Sequence, residues 1–498
     1  MLALKSLQLL FVLYASAVSA SRSREAVDRL RGTKHNIVED TEPLQHAKRS
    51  ASFFTPTFAN PKAATFAVNS SALPLVTFPL QNSWAGRLPI SATSGETRQL
   101  FFWYWPSSQP TASKTLTIWL NGGPGCSSLA GFLQENGPVS FQPGAKAPVS
   151  NPNAWTTASD VLWIEQPVGT GFTLGTPNIQ NESQLATQFY GFLQQFFGVF
   201  TELTSKQLFI TGESYAGFYI PYIASRIINA SAAEKAALPL SLQGLLINDG
   251  VYSSDIVGEQ APTAGFAKSF QSTLGLSTST VNSLASKSSS CGYDAMISQI
   301  TYPPKGKINL PNGNKDTISR SCDVFDTYLD DAEDANACFN IYRITDKCPT
   351  PNDPIESYFS RSDVQKLLHV SGFGTWSECS NRNVFVNGLD NSAYSETLFP
   401  NLLANLPRGM TLWHGLIDSI LFNIGDRLTI QNLTWGGLQG FQTAPSTPLI
   451  VGGTQAGIFH TERNLTYIEV NNAGHMIPED QSAVALHVFQ AILGQTTL

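Results

Sequence analysis

The hexapeptide Gly212-Glu-Ser-Tyr-Ala-Gly217 constrains this chain more than any other stretch. A strand-like apolar run, Gln207-Leu-Phe-Ile-Thr211, leads into it, and a helix-like run from Phe218 to Ile228 leads out. A serine on a sharp strand-to-helix turn is a nucleophile elbow. Its neighbours must be small because the backbone there is tight and strained. The helix N-terminus beneath the serine favours developing negative charge. Ala216 stands where a glycine completes the G-x-S-x-G pattern. Serine beside glycine also occurs in ordinary turns, so the elbow needs support from the rest of the chain.

That support begins with organisation. Thr115–Leu120, Val161–Ile164 and Leu208–Ile210 read as buried strands, and Gln184 to Phe200, with aromatic residues on a helical period, reads as a helix. Strands return near Thr411–His414, Leu449–Val451 and Leu465–Val470, before a final helix from about Asp480 to Leu493. Strands alternating with helices predict a largely parallel sheet. The stretch 251–367 differs: it is rich in Ser, Asp and Asn, holds four cysteines and lacks strand periodicity. It reads as an insertion capping the sheet, so the core divides into residues 50–250 and 368–498.

The N-terminus reads as targeting sequence. Lys5, an apolar run from Leu9 to Val18 and the small residues Ala15–Ala20 form a signal peptide over residues 1–20. That run is too short to span a membrane. Residues 21–49 are charged and end in Lys48-Arg49, the layout of a propeptide; a solvated arm kept in the mature protein is the alternative. Six cysteines (Cys126, Cys291, Cys322, Cys338, Cys348, Cys379) on a secretory route predict disulfides, with three pairings open to the four in the insertion. Sequons at Asn69, Asn181, Asn229, Asn432 and Asn464 fit the same route, to secretion or to a vacuole. A net charge of −7 gives no case for nucleic acid, and no later run has the length of a membrane span. No Cys-x-x-Cys pair points to zinc, and neither metal nor cofactor is expected.

Three further stretches carry chemistry. Trp119-Leu-Asn-Gly-Gly-Pro-Gly-Cys-Ser-Ser128 ends a strand in a turn whose bare backbone suits an oxyanion hole. Asp418 lies just past the Thr411–His414 strand, and His475 lies in a loop between a strand and the last helix. The chain order Ser214, Asp418, His475 is that of α/β-hydrolase triads. Each residue alone has an ordinary structural reading; the three together, each after a strand, favour catalysis.

From about Phe66 to its C-terminus the chain resembles the serine carboxypeptidase family. The resemblance rests on Asn121–Ser128, Glu135-Asn-Gly-Pro138, Gln166-Pro-Val-Gly-Thr-Gly171, Gly212–Gly217 and Ala473-Gly-His-Met-Ile-Pro478. It implies an α/β-hydrolase core with a helical cap, and release of single residues from peptide C-termini in acid. It implies Ser214 as nucleophile, His475 as base and Asp418 as its partner. Gly123 and Tyr215 supply the oxyanion N–H groups; Asn121, Glu135 and Glu213 bind the terminal carboxylate. It pairs Cys126 with Cys379, and places Ile420, Leu421 and Met476 at the pocket for the penultimate side chain. All three are uncharged, which favours apolar residues there, unless an acid of the cap, such as those in Asp330–Asp334, reaches the pocket. Glu165 and Leu416 depart from the family pattern, which more often has Asp at both positions. Close carboxyls cannot all ionise, so Glu135 and Glu213 are expected to share protons and donate to a substrate carboxylate. Peptide or protein C-termini are the expected partners. Acyl transfer or esterase activity on the same scaffold, and a non-catalytic binding protein, are the alternatives.

Overall fold

The computed structural model describes residues 53–498, apart from 110, 112 and 315. The signal peptide and the propeptide with its Lys48-Arg49 site lie outside the described residues. The strands of the central sheet, in chain order, are β1 (Ala67–Val68), β2 (Ser83–Pro89), β3 (Gln99–Trp105), β4 (Thr115–Leu120), β5 (Asp160–Glu165), β6 (Gln207–Glu213), β7 (Ser241–Asn248), β8 (Met410–Gly415), β9 (Thr447–Val451), β10 (Thr454–Glu462) and β11 (Leu465–Val470). Among the described residues they form one eleven-stranded sheet, ordered β1-β2-β3-β5-β4-β6-β7-β8-β11-β10-β9. The run from β5 to β11 is parallel and the two edges are antiparallel. This is the α/β-hydrolase sheet that the alternation of strands and helices predicts.

Helices cover both faces, which is why the inner strands are continuous apolar runs rather than alternating ones. In β3 the side chains of Phe102 and Tyr104 enter one cluster, with α1 (Glu182–Val199) and α2 (Ala216–Ile228). Phe101, Trp103 and Trp105 enter the other, which receives the C-terminal helix Ser482–Leu493. Trp155 stacks on Phe489 of that helix, with ring centroids 4.1 Å apart. In α1, Asn181 caps the first turn by accepting the Gln184 N–H, and Glu182 sits at the positive end of the helix.

A third cluster belongs to the insertion. Its helices Ala261–Ser269, Thr278–Ser290 and Val324–Ala335 bury Ala264, Leu284, Tyr328 and Leu329 against one another. Ile417, Ile420, Leu421 and Phe422, from the loop after β8, join the same cluster and key the cap to the sheet. Ile355, Tyr358, Phe359 and Val364 are instead buried in the second sheet cluster. Apolar packing therefore ends the helical cap near Ile344, before the boundary of 367 expected from composition.

Among the described residues three disulfides form: Cys291–Cys322, Cys338–Cys348 and Cys126–Cys379. The first two are internal to the insertion. The third closes a separation of 253 residues, joining the first half of the sheet to the second. Of the sequons, Asn69, Asn229 and Asn464 are exposed. Asn432 has both polar side-chain atoms bonded to the Ile308 backbone, at 3.1 and 3.2 Å, so a glycan there would cost both bonds.

Glu165, at the end of β5, is fully buried. Its carboxyl accepts from Ser127 Oγ, from the Phe172 N–H at 2.5 Å and from Trp376 Nε1 at 3.1 Å. Burial outweighs these bonds and pushes its pKa up to about 7, from an ordinary value of 4.5. Burial likewise lifts Glu396 to about 7 and Glu479 to about 8. Between 4.5 and those values the folded chain holds protons that the unfolded chain has released, so its stability falls as pH rises. The melting temperature is expected to be lower at pH 8 than at pH 5, with a flatter dependence in Glu165→Gln. Calorimetry across that range checks this, and an undiminished slope in the variant would remove Glu165 from the linkage.

Candidate active site

Every candidate residue follows the C-terminal end of a parallel strand, where ligands of such sheets gather. Ser214 follows β6 with φ of 61°, in the left-handed region that non-glycine residues seldom adopt. Three hydrogen bonds fix the strained turn: its N–H donates to Asn248 O at 2.9 Å, and its carbonyl accepts from Gly217 and Val251 at 2.9 and 3.0 Å. Gly212 is required beneath it, since a Cβ there would meet Leu120 O at 2.1 Å.

Asp418 and His475 come together from loops after β8 and β11. His475 Nδ1 lies 2.7 Å from Asp418 Oδ2. The other oxygen of Asp418 accepts the N–H groups of Ile420 and Leu421, at 2.9 and 3.4 Å. The loops press closely: a Cβ on Gly415 would meet Gly474 O at 2.0 Å. Burial opposes charge on His475, but Asp418 and then Glu213 outweigh it and raise its pKa above the ordinary value. An imidazole so placed accepts a proton at Nε2 and is stabilised once charged.

Asn121 ends the loop-facing side of β4. Its carbonyl oxygen accepts from Trp119 Nε1 at 2.7 Å, which orients its amide to donate to Glu213 Oε1 at 2.7 Å. Glu135 sits in a wide π-helical turn, Gly131–Asn136, of the kind that often marks functional sites. Burial, then the Glu213 charge, raises the Glu135 pKa well above the carboxylate range. Burial also raises that of Glu213, against the pull of His475. Glu135 Oε2 is buried with no hydrogen-bond partner among the described residues. The cluster Asn121, Glu135 and Glu213 thus offers a shared proton and amide donors to an anion.

Gly122, next to Gly123, presses on the elbow, where a Cβ on it would meet Ser214 Cβ at 2.7 Å, and neither the Gly123 nor the Tyr215 N–H enters the backbone bonding of the neighbouring turns. The loop of Gly123 is pinned by the Cys126–Cys379 disulfide and by the flanking bonds Ser127 N–H to Glu378 O (2.8 Å) and Ser380 N–H to Gly125 O (2.9 Å). Tyr215 is fixed through its hydroxyl, which donates to Asp390 Oδ2 at 2.6 Å. Leu416 leaves the position frequent for Asp apolar.

Of the three pocket candidates, Ile420 and Leu421 are buried behind Asp418 and Met476 is half-buried beside His475. Leu421 lines a small cavity with Asp255, Gly258 and Glu259 of the insertion. The acidic run ending the Val324–Ala335 helix instead has Asp330 and Asp334 exposed to solvent.

Sequence reasoning missed the segment Ile341–Asp346. Ile341 O accepts from both the N–H and the hydroxyl of Ser419, at 3.0 and 2.9 Å, and Tyr342 O accepts the His475 N–H at 2.8 Å. Arg343 pairs with Asp346 and Asp480, and Asp480 accepts the Gly474 N–H at 2.6 Å. One strip of the insertion thus braces both the Asp418 and the His475 loops. Cys338 and Cys348 flank it and pair around it, but the sequence had left their pairing open.

Residues 76–495 match the family model described as serine carboxypeptidase. A "Probable serine carboxypeptidase" of Arthroderma benhamiae is 37% identical over 474 residues, covering 88% of this chain and 87% of that protein. A "Serine-type carboxypeptidase F" of Aspergillus niger is 35% identical over 482 residues, covering 88% of each. The solved structure of a prohormone-processing carboxypeptidase from Saccharomyces cerevisiae superposes with a TM-score of 0.72 at 26% identity, covering 87% of this chain and 96% of that one.

Ser214→Ala is expected to leave the melting temperature close to wild type. It should lower kcat/KM at least about a thousandfold and abolish covalent labelling by a phosphonylating reagent. Intact-mass measurement after labelling, with steady-state rates, checks both; near-wild-type turnover would end the role of Ser214.

Proposed function

This chain belongs to the serine carboxypeptidase family, and on that footing we propose that it releases single residues from peptide and protein C-termini through an acyl-enzyme on Ser214. One observation carries the reading: the His475–Asp418 dyad shares its buried surroundings with Asn121, Glu135 and Glu213. The dyad is apparatus for acyl transfer; the carboxyl cluster is a binder for a terminal carboxylate.

The chemistry derives from the placement. His475 takes the proton of Ser214 as the hydroxyl attacks the last peptide carbonyl, then delivers it to the leaving amine. The Gly123 and Tyr215 N–H groups receive the oxyanion. Asp418 holds the tautomer and stabilises the imidazolium. Water then attacks the acyl-enzyme, with His475 again as base. A substrate carboxylate beside Glu135 and Glu213 adds negative charge to a site that already holds a shared proton. Protonated carboxyls donate to it, whereas ionised ones repel it. Binding of a free C-terminus is therefore favoured in acid. Disulfides, exposed sequons and the signal-like N-terminus support a secretory route, secreted or vacuolar, and no helix among the described residues is long and apolar enough to cross a membrane.

Peptidase activity is expected to peak below neutrality, and activity on esters lacking a free carboxylate to extend to higher pH. Glu135→Gln and Glu213→Gln keep a donor that does not titrate, so each should flatten the alkaline fall on peptides. Matched pH profiles of kcat/KM for the two substrate types test this; profiles identical in wild type and both variants would remove the carboxyl clamp.

With Ile420, Leu421 and Met476 placed at the pocket for the penultimate side chain, all uncharged, apolar residues are favoured there. Burial of Phe or Leu gains roughly 1.5–3 kcal/mol, whereas Lys or Arg loses hydration without a partner. A mixed peptide pool followed by mass spectrometry should lose residues singly from the C-terminus. Peptides with penultimate Phe or Leu should be processed at least roughly tenfold faster than those with Lys or Arg. Internal cleavage would overturn the exopeptidase reading. Equal or faster loss next to Lys and Arg would instead show that Asp255 and Glu259 supply charge to the pocket.

A further inference from the structure

Behind Asp418 lies a second histidine that the proposed reaction does not use. His414, on β8, is 1% exposed, and so is Asp418; Asp249 is 0% and Asp426 3% exposed. His414 Nδ1 lies 2.8 Å from Asp426 Oδ2. Its Nε2 lies 3.2 Å from Leu421 O, 3.2 Å from Asp249 Oδ1 and 3.9 Å from Asp418 Oδ2. A carbonyl oxygen can only accept, so Nε2 carries a proton. Nδ1 faces only a carboxyl. Burial opposes charge on this ring, but Asp426 and then Asp418 outweigh it and raise the His414 pKa above its ordinary value, so the carboxyls around both nitrogens favour an imidazolium.

Asp249 completes the arrangement. Its Oδ1 accepts the Gly415 N–H at 2.9 Å, while Oδ2 has no hydrogen-bond partner among the described residues. Single ligand atoms of Asp249, Asp418 and His475 lie within 4.8 Å of one another. Two buried carboxyls at such range do not both ionise, and burial, then the Asp418 charge, lifts the Asp249 pKa well above its ordinary value. Asp249 is thus held toward its protonated form beside Asp418.

We propose that His414 is a positioning residue of the triad: a buried imidazolium, clamped between Asp426 and the Asp249–Asp418 pair, whose charge offsets Glu213 and keeps His475 free to accept a proton in acid. The need is physical. Asp418 and Glu213 both favour the charged form of His475, which cannot act as a base. A positive charge behind Asp418 is the opposing influence. Tyr328 of the cap faces Asp418, with burial raising its own pKa, and the Tyr342 ring lies 5.2 Å from that of His475. Tyr252 lies beyond Asp249 and Asp426, and Glu469, also near Asp426, is neutralised by Arg427 at 2.7 Å. On the far side of His475, Glu213 shares its proton with Glu135. The arrangement is legible only in three dimensions, since Asp249 and Gly415 are 166 residues apart.

This inference rests on the triad of Ser214, His475 and Asp418, and its test separates the two. In His414→Gln the charge is lost while a side-chain donor remains. The acid limb of kcat/KM, read on an ester without a free carboxylate, is expected to move up by about one pH unit, as removal of one buried charge at this range implies. Rates near neutrality should change far less than rates in acid. A merely structural role would lower kcat at every pH without moving the limb. An unmoved limb, or one shifted to lower pH, would overturn the proposal. Should the variant not fold, ¹⁵N NMR of histidine-labelled wild type decides. Both His414 nitrogens should stay protonated from pH 5 to 7, and a neutral His414 in that range would refute it. Phosphonate labelling of wild type is the separate control: if Ser214 fails to react, the triad itself falls, whatever the limb does.

Discussion

The parallel register of β6, β7, β8 and β11 is the constraint on which the site depends. Glu213 pairs with Asn248, Asn248 with Trp413, and Gly415 with Val470. The strands end at one level, so the loops that leave them deliver their residues to one place: Ser214 after β6, Asp249 after β7, Asp418 after β8 and His475 after β11. A slip of one residue in any pair would invert every side chain of that strand and withdraw its contribution. The apolar residues on both faces of these strands make such a slip costly. Packing therefore secures the geometry of residues that contribute little to packing themselves.

Bringing so many polar groups to one level has a cost, and the structure meets it by pairing. Glu135 with Glu213, Asp249 with Asp418 and Glu182 with Asp390 are carboxyls set against one another below the surface. An isolated buried carboxylate is expensive, whereas two that share a proton need hold only one charge. Ionic contacts from the insertion, through Arg343 and Asp480, reach the His475 loop from outside the sheet. The cap is thus part of the support of the site as well as its cover.

Much of this was legible in the sequence, and the reason is local. Strands such as Thr115–Leu120 and Leu465–Val470 declare themselves by apolar continuity. Ser214 declares itself by the small residues its turn demands, and Cys126 and Cys379 by family position. What stayed hidden depends on approach between distant segments. The antiparallel edge formed by β1, β2 and β3 went unread because its pairing is set by tertiary position. The far edge of the cap was misplaced because Ile355–Leu367 has the polar composition of a surface segment, yet turns Tyr358 and Phe359 into the sheet core. His414 read as part of a strand, and Asp426 drew no reading at all. Nothing in a linear pattern shows that they face each other behind Asp418.

The bond between Cys126 and Cys379 has one more implication. Both residues are half-buried, and besides joining the two halves of the chain they hold the turn of Gly123. The strands and their helices are held by apolar packing on both faces, whereas the turn of Gly123 is held by this bond and the backbone bonds beside it. A crosslink that forms only on an oxidising route therefore bears on the turn beside Ser214 that packing secures least.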